Sequence, residues 1–186
     1  MNTKRHDDTK PVTTQTSPVR ETLVTPKQGI EAMNGILARM KDQQCFSCRA
    51  TECTGSTLLF DFGEPVSPSS DSKYGDSCEY GTFALLVEGA AWRILDGRRS
   101  MMTSDAKMTE ENASELQIFT DRKVTSGLIC QSTLDLHIAF DGDIRLDVFC
   151  NCFDERLDNY TLIHLDRYYT VRYADRQQIV ALESGT

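Results

Sequence analysis

Leu134-Asp135-Leu136-His137-Ile138-Ala139-Phe140-Asp141-Gly142-Asp143-Ile144-Arg145-Leu146-Asp147-Val148-Phe149-Cys150 is the stretch whose reading decides the fold. Leu134, Leu136, Ile138 and Phe140 recur at every second position, as do Ile144, Leu146 and Val148. Successive side chains of a strand point to opposite faces, so each half reads as a strand with one buried face. Residues opposed in an antiparallel pair lie on the same face. A two-residue turn at Asp141-Gly142 would set Phe140 against Asp143 and mix the faces. An odd-length loop keeps them matched, which predicts a three-residue turn with Gly142 in the left-handed region. Asp135, His137, Arg145 and Asp147 then share the outer face.

Strand and turn patterns continue outward on both sides. A β-rich pattern occurs twice, from Ser56-Thr57-Leu58 through Phe60-Asp61-Phe62 to Gly81–Val87 and Ala91–Leu95, and from Ser132-Thr133-Leu134 through Phe140-Asp141 to Thr161–Leu165 and Tyr169–Tyr173. Tyr80–Val87 and Ala91–Leu95 read as a hairpin around Glu88-Gly89-Ala90, and Lys123–Cys130 reads as one more strand. Thr25-Pro26-Lys27-Gln28 is a helix start, with Thr25 as cap, Pro26 at the first helical position and Gln28 completing a capping box. Ile30, Met33, Leu37 and Met40 follow at helical spacing to an end near Gln43. Gly35 weakens that helix by about 1 kcal/mol relative to Ala, which a close packing contact would explain. A second helix begins at Thr109, with Glu110 and Glu111 at its positive end and Ala113, Leu116 and Phe119 facing inward.

The fold class expected is α+β, a twisted antiparallel sheet built from two related β-meander units with one or two helices packed on it. The domain spans 25–173. Residues 1–24, rich in Thr, Lys, Asp and Pro, read as a flexible tail, and 174–186 as a second tail. Cys45–Thr54, the Pro-, Gly- and Ser-rich stretch Glu64–Glu79, and Asp96–Lys107 read as connections.

The formal net charge is −8. Nucleic-acid binding needs a basic footprint, so this balance argues against it. Acidity suits a basic protein partner, because complementary charge steers association. The longest apolar run, Phe83–Val87, is too short to cross a bilayer, and Met1–Arg20 has no apolar core of a secretory signal. A cytoplasmic location is expected, with the seven cysteines reduced.

The order Gly55-Ser56-Thr57-Leu58, Asp61-Phe62-Gly63, Gly81, Trp92-Arg93-Ile94, Asp135-Leu136, Phe140-Asp141-Gly142 and Leu146-Asp147-Val148-Phe149 resembles small uncharacterised bacterial proteins of the immunity-protein-like kind, encoded near polymorphic toxins and other defence genes. The likeness covers Gly29–Tyr173 and rests on strand and turn residues. It implies an α+β module that binds and neutralises or regulates another protein, and it carries over no catalytic residue. Function inferred from such a likeness is an association and not a mechanism.

Candidate sites follow from chemistry. Cys45-x-x-Cys48-x4-Cys53, with Cys78 as a distant fourth, could place thiolates around one tetrahedral zinc ion, though a second Cys-x-x-Cys is missing. Cys150 and Cys152 share a face after a strand, with Cys130 as a third thiol. His137 beside Asp147 or Asp135 has the makings of an oriented base, although a solvated polar face explains the same pattern. On a binding protein, Asp135, His137, Arg145 and Asp147, with Tyr74 and Glu79 of the Glu64–Glu79 stretch, are the expected partner contacts. His164 reads as a surface or rim residue. Asp141-Gly142-Asp143 lacks the closing Glu of a calcium loop and reads as turn chemistry. Trp92, the one tryptophan, reads as core, with an interface anchor as the other role open to it.

The first expectation is therefore a non-enzymatic, cytosolic protein-binding module of immunity or antitoxin type, with no catalytic residues and no cofactor. Its partner would be another protein, with a basic toxin or effector as the candidate. The alternatives are a zinc- or thiol-dependent sensor or enzyme using Cys45, Cys48 and Cys53, and a subunit of a bacterial defence assembly.

Overall fold

A computed structural model describes residues 20–50, 57–66, 80–165, 167–174 and 177–184. The hairpin at the centre of the sequence argument is strands β8 (Leu136–Phe140) and β9 (Ile144–Phe149), paired as His137 to Asp147 and Ala139 to Arg145. That register leaves Asp141, Gly142 and Asp143 as a three-residue turn. Gly142 has φ 74°, the left-handed conformation that glycine adopts without a Cβ penalty.

Around this hairpin the described residues form two antiparallel sheets. The five-stranded sheet runs β6-β5-β9-β8-β7, with β5 at Ala91–Asp96, β6 at Arg99–Thr103 and β7 at Val124–Ile129. The seven-stranded sheet runs β1-β12-β11-β10-β4-β3-β2. Its strands are β1 (Arg20–Val24), β2 (Cys45–Ala50), β3 (Leu58–Val66), β4 (Tyr80–Val87), β10 (Asp158–His164), β11 (Arg167–Ala174) and β12 (Gln177–Ser184). Helix α1 (Pro26–Met40) packs on β7 of one sheet and β12 of the other, and α2 (Glu110–Glu115) runs into a 3-10 turn, Leu116–Phe119. The architecture is thus largely antiparallel sheet with two helices.

Several sequence expectations change. Tyr80–Val87 and Ala91–Leu95 are not a hairpin: β4 pairs with β3 and β10, whereas β5 pairs with β6 and β9. Between them the chain passes from one sheet to the other. The amides of Glu88 and Gly89 are taken by the carbonyls of Asn159 (3.2 Å) and Asp158 (2.8 Å), not by a turn of their own. The strands of both repeated β units are accordingly divided between the two sheets. Cys45–Ala50 is edge strand β2, Arg99–Thr103 is edge strand β6, and most of the expected C-terminal tail is β12. Arg20–Val24, assigned to the N-terminal tail, is β1 against β12.

One core joins the sheets. Phe60 and Phe62 stack along the inner face of β3. Phe62 lies 6.2 Å from Phe140 of β8, and Phe119 meets Phe60 edge-on at 5.0 Å and Phe140 at 4.9 Å. Such pairs contribute about 0.5–1.5 kcal/mol each beyond their area, so the 3-10 turn works as an aromatic plug between the layers. Tyr160, fully buried on β10, donates its hydroxyl to the Leu134 carbonyl at 2.9 Å, which satisfies a polar atom that would otherwise cost about 1–3 kcal/mol.

Helix α1 starts as its sequence requires. The Thr25 hydroxyl donates to Gln28 Oε1 at 2.8 Å and accepts from the Gln28 amide. Ile30, Met33, Leu37 and Met40 are buried, and Ile36 joins them. The close contact expected at Gly35 falls elsewhere. Gly35 faces open space, while a Cβ on Gly29 would stand 2.6 Å from Val180 Cβ on β12. It is Gly29 that lets the helix approach the sheet.

A candidate anion-facing site on the five-stranded sheet

Strand order brings three polar side chains into one row on the outer face. Arg93 of β5 and His137 of β8 flank Asp147 of β9, each directly opposite it. Arg145 precedes Asp147 by two residues and shares its face. Asp147 Oδ1 meets His137 Nδ1 at 2.7 Å and Arg145 Nε at 3.1 Å, and Oδ2 meets Arg93 Nε at 2.8 Å. The carboxylate is only 1% exposed, while the side chains of His137, Arg93 and Arg145 are 40%, 44% and 49% exposed. Asp147 therefore sits beneath two guanidiniums and an imidazole. Burial works against its charge, but the hydrogen bonds from His137 and Arg93 and the nearby Arg145 charge outweigh it and hold the carboxyl below its ordinary range.

This geometry sorts the expected contact residues. His137, Arg145 and Asp147 come together as their strand parity implies. Asp135 does not join them, because its Oδ1 accepts the Cys150 amide at 2.8 Å and its Oδ2 accepts the Thr133 hydroxyl at 2.7 Å. It stabilises the turn between β7 and β8. Asp147 is too deeply covered to touch a partner. Tyr74 and Glu79 lie outside the described residues.

Arg93 was not among the predicted contacts. Its outward direction was legible from Trp92-Arg93-Ile94, but the neighbourhood of β5 and β9 depends on strand order. The Arg93 guanidinium also lies 5.2 Å over the Phe149 ring, a cation–π contact of about 0.5–1 kcal/mol at an exposed site. Beyond His137 the row ends in Leu128 of β7, 59% exposed.

The opposite sheet repeats the device on a smaller scale. Asp61 on β3, also buried, accepts from Arg49 Nη2 at 3.0 Å and from the Gly81 amide at 3.2 Å. Here the backbone shares the carboxylate, and one guanidinium stands over it instead of two.

The cysteines divide by environment. Cys45 and Cys48 on β2 are buried. Burial pushes Cys45 up to about 12 and raises Cys48 well above the usual thiol range, so both are protonated, core-filling groups. Cys53 and Cys78, the other two proposed zinc ligands, lie outside the described residues. Among the described residues, no group of three or more His, Cys, Asp or Glu is placed to hold a metal ion. Cys150 is buried, its thiol raised by that burial and by Asp135. Cys130 differs. Its sulfur lies 3.2 Å from Ser132 Oγ, and the hydroxyls and amides of Ser132 and Thr133 bring it down to about 6. Because the thiolate is the reactive form, a thiol reagent at pH 7 should modify Cys130 ahead of Cys45, Cys48 and Cys150. Peptide mapping of the labelled native protein checks this, and labelling of Cys45 or Cys48 at the rate of Cys130 would contradict their burial.

His164, half-buried, stacks on Phe83 at 4.7 Å between centroids. Burial, followed by the charges of Arg39 and Arg167, lowers its pKa. A surface depression of about 160 Å³ lies by Asp96, Arg99, Met101 and Glu115, smaller than the roughly 300–1,000 Å³ of a typical small-molecule pocket. Among the described residues, no helix is long and apolar enough to cross a membrane. No protein-family model, no curated protein and no solved structure matches the chain.

Proposed function

We propose that this chain is a non-enzymatic protein-binding module of the immunity or antitoxin type, acting in the cytoplasm. It covers a partner protein with the outer face of the β5-β9-β8 sheet. The observation that carries this reading is the burial of Asp147 under Arg93, Arg145 and His137. The two guanidiniums and the imidazole are anchored by one carboxylate on adjoining strands, and their outer ends reach solvent. An interface works best when its charged groups are held in place before the partner arrives. The cluster stands on a sheet face with its covering side chains nearly half exposed, as a protein contact requires. The net charge of −8 favours encounter with a basic partner.

Co-expression with the products of neighbouring genes, purification under reducing conditions and native mass spectrometry test the reading. The expected result is one neighbour at fixed stoichiometry, with affinity lowered about tenfold, or about 1.4 kcal/mol, by Arg145→Glu. Failure of every neighbour to bind at micromolar concentration would sink it.

A further inference from the structure

The chemistry of the cluster specifies what it binds. We propose that Arg93, Arg145 and His137 form a receptor for a single carboxylate, an Asp or Glu side chain that the protein partner carries on an otherwise basic surface. The inference rests on the binding-module reading and names the group recognised.

Both arginines address Asp147 through Nε. Their terminal nitrogens have no further partner among the described residues, and each side chain is nearly half exposed. A guanidinium held by one edge offers its other donors as a planar fork, the shape that accepts a carboxylate through two parallel hydrogen bonds. The buried carboxylate restricts both guanidiniums, so less side-chain freedom is lost when a second anion arrives. His137 donates or shares its Nδ1 proton with Asp147, which leaves the opposite ring nitrogen as its outward polar atom.

Charge selects among anions. Two guanidiniums over one carboxylate leave a surplus of one positive charge, before any contribution from His137. That surplus matches a monoanionic carboxylate. A phosphate dianion would be under-neutralised and would face Asp147 across the cluster. The wider molecule adds a second filter. With a net charge of −8, it repels an acidic partner at long range and attracts a basic one. One carboxylate within a basic surface satisfies both fields. Leu128, exposed at the end of the row, offers an apolar contact beside the charged one.

Two peptides test this on the unaltered protein, Ac-Lys-Lys-Glu-Leu-Lys-Lys-amide and its Glu→Gln counterpart, added at constant ionic strength to the isotope-labelled chain. The NMR signals read are the Arg93 and Arg145 Nε–Hε groups and the His137 ring. The Glu peptide should shift all three saturably and bind about fivefold to tenfold more tightly than the Gln peptide, a ratio expected of charge-assisted hydrogen bonds at a half-exposed site. The double variant Arg93→Gln/Arg145→Gln should erase the difference between the peptides, with its fold checked by the amide spectrum. Equal binding of the two peptides, or no shift at the three side chains, overturns the proposal. So does a stronger response to inorganic phosphate than to the Glu peptide. A neighbouring gene product that binds the double variant as tightly as the original chain would retain the binding-module reading and discard this site.

Discussion

Trp92→Ala should lower the unfolding free energy by about 3–5 kcal/mol, the range for removing a large aromatic from a core. Trp92 is 1% exposed on the inner face of β5, opposite Val148 of β9. Both neighbouring strands are paired, so the sheet has little freedom to close over the space left. Trp92→Phe keeps an aromatic ring and should cost less than half as much. Because the fluorescent reporter is lost with the residue, urea unfolding followed by far-ultraviolet circular dichroism is the suitable measurement. A loss below about 1 kcal/mol would mean that the site collapses freely or that the side chain is not core. Trp92 is thereby removed from the candidate interface anchors, and Arg93 next to it takes that position.

Asp147→Ala is the second large effect, about 2–4 kcal/mol. Breaking a buried ion pair costs about 3–5 kcal/mol when the surviving charge is trapped. Here Arg93, Arg145 and His137 can turn partly toward water, which reduces the loss. The same residue gives a pH signature. Folding lowers the Asp147 pKa, so the unfolded chain takes up the proton more readily than the native one. The stabilisation is complete above the unfolded value of about 3.9 and is lost as pH falls through the lower native value. Urea midpoints measured from pH 7 to pH 3 should therefore fall more steeply for the original chain than for Asp147→Asn. Parallel acid limbs in the two proteins would show that Asp147 does not carry this linkage.

What could be read from the sequence was local. The β8–β9 hairpin, its three-residue turn and the left-handed Gly142 followed from parity, because a one-residue change would mix the two faces. The start of α1 followed from capping chemistry. Leu116 and Phe119 were found on the buried side of the second helical segment, although that segment tightens into a 3-10 turn. The failures had two causes. Cys45–Ala50 and Arg99–Thr103 pair with the neighbouring strands β3 and β5, but as edge strands they carry too weak an alternation to be read as strands. Val87-Glu88-Gly89-Ala90-Ala91 has the composition of a hairpin turn, yet its Glu88 and Gly89 amides are claimed by the distant carbonyls of Asn159 and Asp158. For the same reason the site was only half legible. His137, Arg145 and Asp147 belong to one hairpin, whereas Arg93 arrives by sheet order.

The pairing of β1 with β12 has a consequence for biogenesis. Arg20 stands opposite Ser184 and Val24 opposite Val180, and among the described residues β12 is the only strand to which β1 is hydrogen-bonded. A ribosome that has released β1 must synthesise every other described strand before the mate of β1 emerges. Contacts so distant in sequence slow folding, because the entropy of closing the loop is lost before the contact can repay it. The edge of β1 stays open through that interval, and open edges invite pairing with other chains. Nascent chains arrested before β12 should therefore associate with chaperones or with one another, whereas the released chain pairs β1 with its own β12.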